Sequence, residues 1–270
     1  MLVDLHCHIL PSIDDGAKDL DISIDMCRIA EQDGIDCIIA TPHFIHGAIN
    51  NNSKIVKQKV EKLNNTLKKK KVNINIYPGC EAFISPELPR LVREKQVCTL
   101  NDTQYILIEL PMESVPDYTA DIIYQLRLDG YTPIIAHPER NTVISETPDV
   151  LIDLINRGAL TQINSSSING LFGKGIMETS LLLLKNKMIH LLASDAHTAG
   201  GRSPKLSRAM SIIEHEVGYE TLQSIIKHNQ AVLKGENIEI EEPIILKSIN
   251  ESKFLGNFKK IISGLLNNGN

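Results

Sequence analysis

The chain predicts an α/β fold, a distorted seven-stranded (β/α) barrel, on three observations. Short β-rich runs alternate with amphipathic helical stretches, the pattern of a parallel sheet wrapped by helices. Seven such runs can be counted, one fewer than the regular eightfold barrel. A histidine or carboxylate stands at the end of successive runs, and in a β/α barrel the C-terminal ends of the strands converge on one face, where a site is built.

The elements follow in order. The first strand, near 2–6, runs into Asp4-Leu5-His6-Cys7-His8, and Asp14-Asp15-Gly16 turns the chain into a helix over 18–33. Asp33-Gly34 breaks that helix before Cys37-Ile38-Ile39-Ala40, within a strand at 36–41 that leads to His43. A long helix over 53–70 ends in Lys68-Lys69-Lys70-Lys71. Those cations suit a helix C-terminus through the macrodipole, and a docking patch for an acidic or phosphorylated partner is the alternative. Strands near 72–78 and 104–110 end at Glu81 and Glu109, with a helix over 86–94 between them. A helix over 117–129, closed by Asp129-Gly130, precedes the strand 132–136 that ends at His137. A helix at 147–157, a strand at 159–164 and a helix at 174–186 follow. The last strand, 188–194, ends at Asp195 and His197, and helices near 204–216 and 219–229 complete the unit.

At 270 residues and 42% hydrophobic content the chain can bury one full core, so residues 1–246 are expected to form a single domain. Residues 247–270 differ from the rest. Phe254, Leu255, Phe258, Ile261, Ile262 and Leu265 share one helical face beside Lys253, Lys259 and Lys260. That amphipathic tail reads as a helix docked on its own barrel or on a neighbouring subunit, or as an interfacial membrane helix making peripheral contact. No apolar run approaches the ~18 residues of a transmembrane span, and the start shows no signal peptide. The net charge of −5 gives no broad basic surface and argues against nucleic acid. Five cysteines without a CxxC pair fit reduced thiols in the cytoplasm.

In a strand, residues two apart share a side, so His6 and His8 can both face a site while Cys7 faces the helices. The same alternation turns Cys80 away if Glu81 faces inward. Nine N/O donors form the candidate set: His6, His8, Asp15, His43, Glu81, Glu109, His137, Asp195 and His197. With no thiolate among them they suit two or three divalent ions such as manganese, iron or zinc. Of the other histidines, His190 lies within a strand, His215 and His228 on helices and His46 in a loop. Arg140 and Arg202 follow two of the metal-type clusters and suit a bidentate grip on an anionic phosphoryl group, or else pair with a neighbouring carboxylate such as Glu139. Clustered metals with arginine point to phosphate ester hydrolysis. A thiolate phosphatase needs Arg six residues after its Cys. The residues at that spacing are Ile13, Asp33, His43, Pro86 and Gln104, which excludes that route.

These residues resemble the PHP (polymerase and histidinol phosphatase) superfamily. They are closest to its branch of metal-dependent bacterial protein-tyrosine phosphatases of the CpsB/CapC type. The resemblance is carried by DLHCHILPSIDDG from Asp4, ATPHF from Ala40, GCEAF from Gly79, IELP from Ile108, AHPERN from Ala136, QINSSS from Gln162, ASDAH from Ala193 and then GGRSP. It runs from residue 1 to about 245 and implies a distorted seven-stranded barrel of the PHP type. It also implies one metal on His6, His8, Glu81 and Asp195, a second on Glu81, Glu109 and His137, and a third on Asp15, His43 and His197. Arg140 and Arg202 would bind the substrate phosphate, and His43 or His197 would assist. Phe44-Ile45-His46 lacks the basic residues that some relatives carry there. The implied reaction is a one-step hydrolysis of phosphotyrosine by a hydroxide bridging two metals, most simply Mn2+. The implied partner is an autophosphorylated bacterial tyrosine kinase that controls capsule or exopolysaccharide synthesis. A small-molecule phosphatase such as a histidinol phosphatase and a non-catalytic metal-binding docking module are the rival readings.

Overall fold

The computed structural model describes residues 1–245, so the amphipathic stretch at 247–270 lies outside the described residues. Nine short strands, all paired in parallel, make two sheets. One has the order β1 (Val3–Cys7), β2 (Cys37–Ala40) and β4 (Asn75–Pro78). The other has the order β3 (His43–Phe44), β5 (Glu81–Phe83), β6 (Tyr105–Glu109), β7 (Thr132–Ala136), β8 (Leu160–Asn164) and β9 (Leu191–Ala193). Parallel strands buried on both faces are expected to be continuously apolar, and β1, β2, β8 and β9 are buried along their whole length.

The seven expected runs are all present, but two of them break. The second continues past Thr41-Pro42 as β3, and the third continues past Gly79-Cys80 as β5. The cause is local. Pro42 has no N–H to give a ladder, and its carbonyl instead accepts from the Glu81 N–H at 3.1 Å. Gly79 lets β4 lie against β2, since a Cβ there would meet Ile39 Cγ2 at 2.7 Å. The two segments thus pair twice, Ala40 with Pro78 below the break and His43 with Glu81 above it. At the other margin β1 and β9 form no ladder. Asp195 N–H donates to the His6 carbonyl and His8 N–H to the Ala196 carbonyl, each at 2.8 Å. No closed sheet is formed among the described residues.

Helices α1 (Leu20–Gln32), α2 (Ser53–Lys70), α3 (Leu88–Arg93), α4 (Thr119–Leu128), α5 (Thr142–Glu146), α6 (Asp149–Asn156), α7 (Ser165–Ile168), α8 (Lys174–Lys185), α9 (Ser207–Glu216) and α10 (Tyr219–Lys234) connect the strands. The Asp19 side chain caps α1 by accepting from Ile22 N–H, and Asn52 caps α2 from Ile55 N–H. Lys68, Lys69 and Lys70 occupy the last turn of α2, and Lys71 ends it in the left-handed conformation. The short α5 and α7 escape a periodicity reading because one turn of helix carries too little pattern.

Apolar side chains divide between two clusters. The larger packs helices against the outer faces of the strands. The smaller is drawn mostly from the strands, with Leu107 two residues below Glu109 and Ala193 two below Asp195. It fills the space beneath the strand ends. Val3 and Leu5 belong to this smaller cluster and Cys7 to the larger one. A β-bulge between Asp4 and Cys7 produces that switch: it lets His6 and His8 turn inward above residues that already face inward.

Candidate metal centre

All nine expected ligands come together at one end of the two sheets. His6 is the next-to-last residue of β1 and His8 follows that strand, His43 opens β3, Glu81 opens β5 and Glu109 ends β6. His137 follows β7, and Asp195 and His197 follow β9. His137 (φ 34°) and Asp195 (φ 51°) have left-handed backbones that non-glycine residues rarely adopt. Each costs on the order of 1–3 kcal/mol, a strain typical of positions that aim a functional side chain.

Glu81 is at the middle of the cluster and is 1% exposed. Its Oε2 lies 3.3 Å from the Nε2 of both His6 and His8, and 3.0 Å from His43 Nδ1. Its Oε1 lies 2.9 Å from His137 Nε2. Asp195 Oδ1 lies 3.5 Å from His6 Nε2, 3.6 Å from His8 Nε2 and 3.4 Å from His197 Nδ1. Asp15, 63% exposed, sets its Oδ1 at 3.5 Å from His43 Nε2 and 3.4 Å from His197 Nε2. Ligand atoms fall into three groups: His6, His8 and Glu81; His43, Glu81 and Glu109; and His8, Asp15, His43 and His197. His8 and His43 thus belong to more groups than one strand-end position would indicate.

The hydrogen bonds behind these ligands settle where the protons are. Asp195 Oδ2 can only accept, so the Asn164 amide donates to it at 2.7 Å. Asn164 must then present its oxygen to the Gln162 amide nitrogen at 2.8 Å, and Gln162 presents its oxygen to His6 Nδ1 at 2.8 Å. His6 therefore carries its proton on Nδ1 and a lone pair on Nε2. Asp14 Oδ2, 2.8 Å from His8 Nδ1, imposes the same tautomer on His8. The two Nε2 atoms face each other at 3.1 Å, ringed by the oxygens of Glu81 and Asp195. With both rings neutral, four acceptors converge there, which is a cradle for a cation, and without a metal the same carboxylates draw protons to it. His43 Nδ1 is buried, 3.0 Å from Glu81, and makes no hydrogen bond. Imidazole nitrogens and carboxylate oxygens without thiolate fit manganese, iron or zinc.

The electrostatics are those of a site short of positive charge. Burial opposes a charge on His6 and His8. The carboxylates of Glu81 and Asp195 outweigh it for His6, and those of Asp14 and Glu81 for His8, so both pKa values are raised. Burial would raise Glu81, but His6, His137 and His43 hold its carboxyl well below the usual range. Glu109 is raised, by burial first and then by the Glu81 carboxylate. His197 is lowered to about 4, first by burial and then by His8.

Arg140 Nη1 and Arg202 Nη2 both reach Asp195 Oδ2, at 3.1 and 2.8 Å, instead of pairing with Glu139. Glu139 is fully buried and accepts from the Ser167 hydroxyl at 2.6 Å and the Asn164 N–H at 3.1 Å. Sequence reasoning missed Asp14, Gln162 and Asn164. Gln162 and Asn164 left a signal, two amides at strand spacing in an otherwise apolar run. Asp14 left none that separates it from Asp15. Cys7 and Cys80 are completely buried, and burial pushes both thiols up, so neither supplies a thiolate.

Comparison with known proteins gives the family. Residues 2–234 match the family model described as "Capsular polysaccharide synthesis, CpsB/CapC". The chain belongs to the CpsB/CapC family. Among its relatives, the tyrosine-protein phosphatase YwqE of Bacillus subtilis is 40% identical over 242 residues, 90% of this chain and 95% of that protein. The putative tyrosine-protein phosphatase CapC of Staphylococcus aureus is 38% identical over the same shares. In a structural study of YwqE and the Streptococcus pneumoniae CpsB, described as unique metal-dependent tyrosine phosphatases, one chain superimposes with a TM-score of 0.89 at 40% identity, over 91% of this chain and all of that one. A histidinol phosphate phosphatase from Lactococcus lactis shares the fold alone, with a TM-score of 0.53 at 13% identity. No described helix of this family member is long and apolar enough to cross a membrane.

Proposed function

We propose that this chain is a metal-dependent protein-tyrosine phosphatase, acting on the phosphotyrosine tail of an autophosphorylated bacterial tyrosine kinase that regulates capsular or exopolysaccharide synthesis. The observation that carries the reading is the pair of facing His6 and His8 lone pairs under two carboxylates, with two guanidiniums on the far oxygen of one of them. The curated relatives bear the name tyrosine-protein phosphatase, which supports the substrate class.

His6, His8, Glu81 and Asp195 would hold one ion, Glu81, Glu109 and His137 a second, and Asp15, His43 and His197 a third. Manganese is the favoured metal, with iron and zinc as alternatives. Bound divalent ions would lower the pKa of water to supply a nucleophile at neutral pH and would offset phosphoryl charge. The chain's own groups do the rest. Arg140 and Arg202, part-exposed and held at Asp195, turn their remaining N–H donors to the phosphoryl oxygens and orient the ester. Glu81 and Glu109 fix the polarity of the floor. Tyrosine leaves as a phenolate of pKa ~10, so it needs less acid help than an alkyl alcohol, and His43 or His197 can give that help only where it is not bound to the third ion.

The two sheets are read as one distorted seven-stranded barrel of the PHP type, β2 with β3 and β4 with β5 each counting as one broken strand. Residues 1–246 are taken as the phosphatase unit, working in the cytoplasm, and 247–270 as an amphipathic tail able to touch a membrane. A chain ended after residue 249 should keep its turnover. Unchanged liposome association would refute the membrane role.

The deciding experiment is hydrolysis by chelator-stripped protein with and without added manganese, on a phosphotyrosine peptide beside phosphoserine and histidinol phosphate. Manganese-dependent cleavage confined to phosphotyrosine is expected. Cleavage of histidinol phosphate alone would reassign the enzyme to small molecules, and no metal-restored activity would leave a docking module.

A further inference from the structure

Phe172 is at the mouth of the site and has no part in the ligand set. Its ring centroid lies 4.6 Å from the guanidinium carbon of Arg140 and 5.8 Å from that of Arg202, within cation–π range of both. It is half-buried, and its neighbour Leu171 is 49% exposed. The loop that carries the pair is tightly built. Gly170 and Gly173 both have positive φ, +81° and +96°. Leu171 N–H donates to the Ser166 carbonyl at 3.0 Å, Gly170 N–H to the Ser167 carbonyl at 3.1 Å, and Gly173 N–H to the Gly170 carbonyl at 3.1 Å. The Ser167 hydroxyl is bonded to Glu139, the residue before Arg140. One buried carboxylate therefore ties the loop to the arginine whose guanidinium lies over the ring.

We propose that Phe172 is a specificity-determining residue, an aromatic wall that receives the aryl ring of the substrate while Arg140 and Arg202 hold its phosphate. The proposal rests on the phosphatase reading above and names what makes the site prefer an aryl ester. A phosphoryl group held by both guanidiniums puts its phosphorus next to two cations that already touch Phe172. An aryl ring one ester oxygen away then falls within the 4.5–7 Å over which aromatic rings attract each other. An alkyl phosphate puts only a methylene there. The contact also avoids the metal ligands, so it adds selectivity without altering the chemical step.

The test is calorimetric binding of phenylphosphonate and methylphosphonate, which are not hydrolysed, to the manganese-loaded full chain and its Phe172→Leu and Phe172→Tyr variants. The wild-type protein is expected to bind phenylphosphonate about tenfold more tightly than methylphosphonate. Phe172→Leu should bring the two near parity while holding methylphosphonate within about threefold of wild type, and Phe172→Tyr should restore the preference. In turnover, Phe172→Leu should raise KM for a phosphotyrosine peptide more than it lowers kcat. A phenyl preference that survives in Phe172→Leu would overturn the inference. So would an equal loss of both ligands, which would make the ring only a prop for the arginines. Binding of neither ligand by the wild type would instead sink the phosphate grip on which the inference rests.

Discussion

Replacing Asp14 by Asn tests the centre through a residue that binds no metal. Asp14 accepts three hydrogen bonds: Oδ2 from His8 Nδ1 at 2.8 Å and from His43 N–H at 3.0 Å, and Oδ1 from Gly16 N–H at 3.0 Å. An asparagine has one oxygen for these two positions. If the oxygen stays toward His8, the amide NH2 confronts Gly16 N–H, donor against donor. If the amide reverses, His8 must accept at Nδ1, and its proton moves to Nε2, where the cation should be. Leaving one part-buried donor unpaired costs about 1–3 kcal/mol. Losing the partner that orients a metal-bound imidazole typically costs 10–100-fold in metal affinity. That range corresponds to about 1.4–2.7 kcal/mol at 1.36 kcal/mol per decade. The assay is a manganese titration of phosphotyrosine hydrolysis with chelator-stripped enzyme. The half-saturating concentration should rise by roughly 10–100-fold, with turnover at saturating metal within a few-fold of wild type. A midpoint within about twofold of wild type would refute the tautomer argument. Lost turnover with unchanged metal content would mean that Asp14 takes part in the chemistry.

Three further outcomes are expected. Asp195→Asn removes the carboxylate that faces three histidines and two arginines; breaking such a buried set costs about 3–5 kcal/mol of stability, and with the expected ligand gone manganese-restored peptide hydrolysis should be lost. Near-normal turnover would defeat its assignment as a ligand. Gly16→Ala would put a Cβ 2.1 Å from the His8 carbonyl oxygen, and the thermal midpoint and the manganese midpoint should both worsen, with a stability loss of about 3 kcal/mol by urea unfolding; an unperturbed protein would show that the 12–17 turn can shift. His190 is buried, and burial followed by the nearby His228 pushes its pKa down to about 3. The unfolded chain binds that proton below ~6.5, so stability is present above that pH and is lost toward about 3, at up to ~1.4 kcal/mol per pH unit. In metal-free protein, His190→Asn should show a shallower loss between pH 7.5 and 5.5, and parallel slopes for the two proteins would contradict a neutral buried imidazole.

Much of this molecule is legible in its sequence because every expected ligand but Asp15 stands at or just beyond an apolar run, and strand ends in a β/α fold share one face. His6, Glu81, His137 and Asp195 could be placed together for that reason. The strand breaks could not be read, since Thr41-Pro42 and Gly79-Cys80 act through their neighbours: a proline carbonyl bonded to Glu81 and a glycine pressed on Ile39. The bulge in β1 was equally hidden, and strict alternation reached the right orientation for His6 and His8 without it. Arg140 and Arg202 were identified, but their partner was not, because Asp195 is 55 residues from the first and reaches it only across the sheet. Asp14 and Asp15 show the limit best. Two identical side chains in sequence divide into a buried orienting group and an exposed candidate ligand, and only the turn decides which is which.

The junction of β1 with the segment after β9 has a consequence for how the enzyme is made. Asp4 meets Ser194 across 190 residues, and Asn229 on α10 donates to the Val3 carbonyl. During synthesis, the first strand leaves the ribosome long before its eventual neighbour exists, with only β2 available as an early partner. His6 and His8 then stand without Asp195 and His197 until some 190 further residues have been added. The candidate centre therefore cannot be assembled before Asp195 and His197 have been made. Contacts of such long range also slow folding.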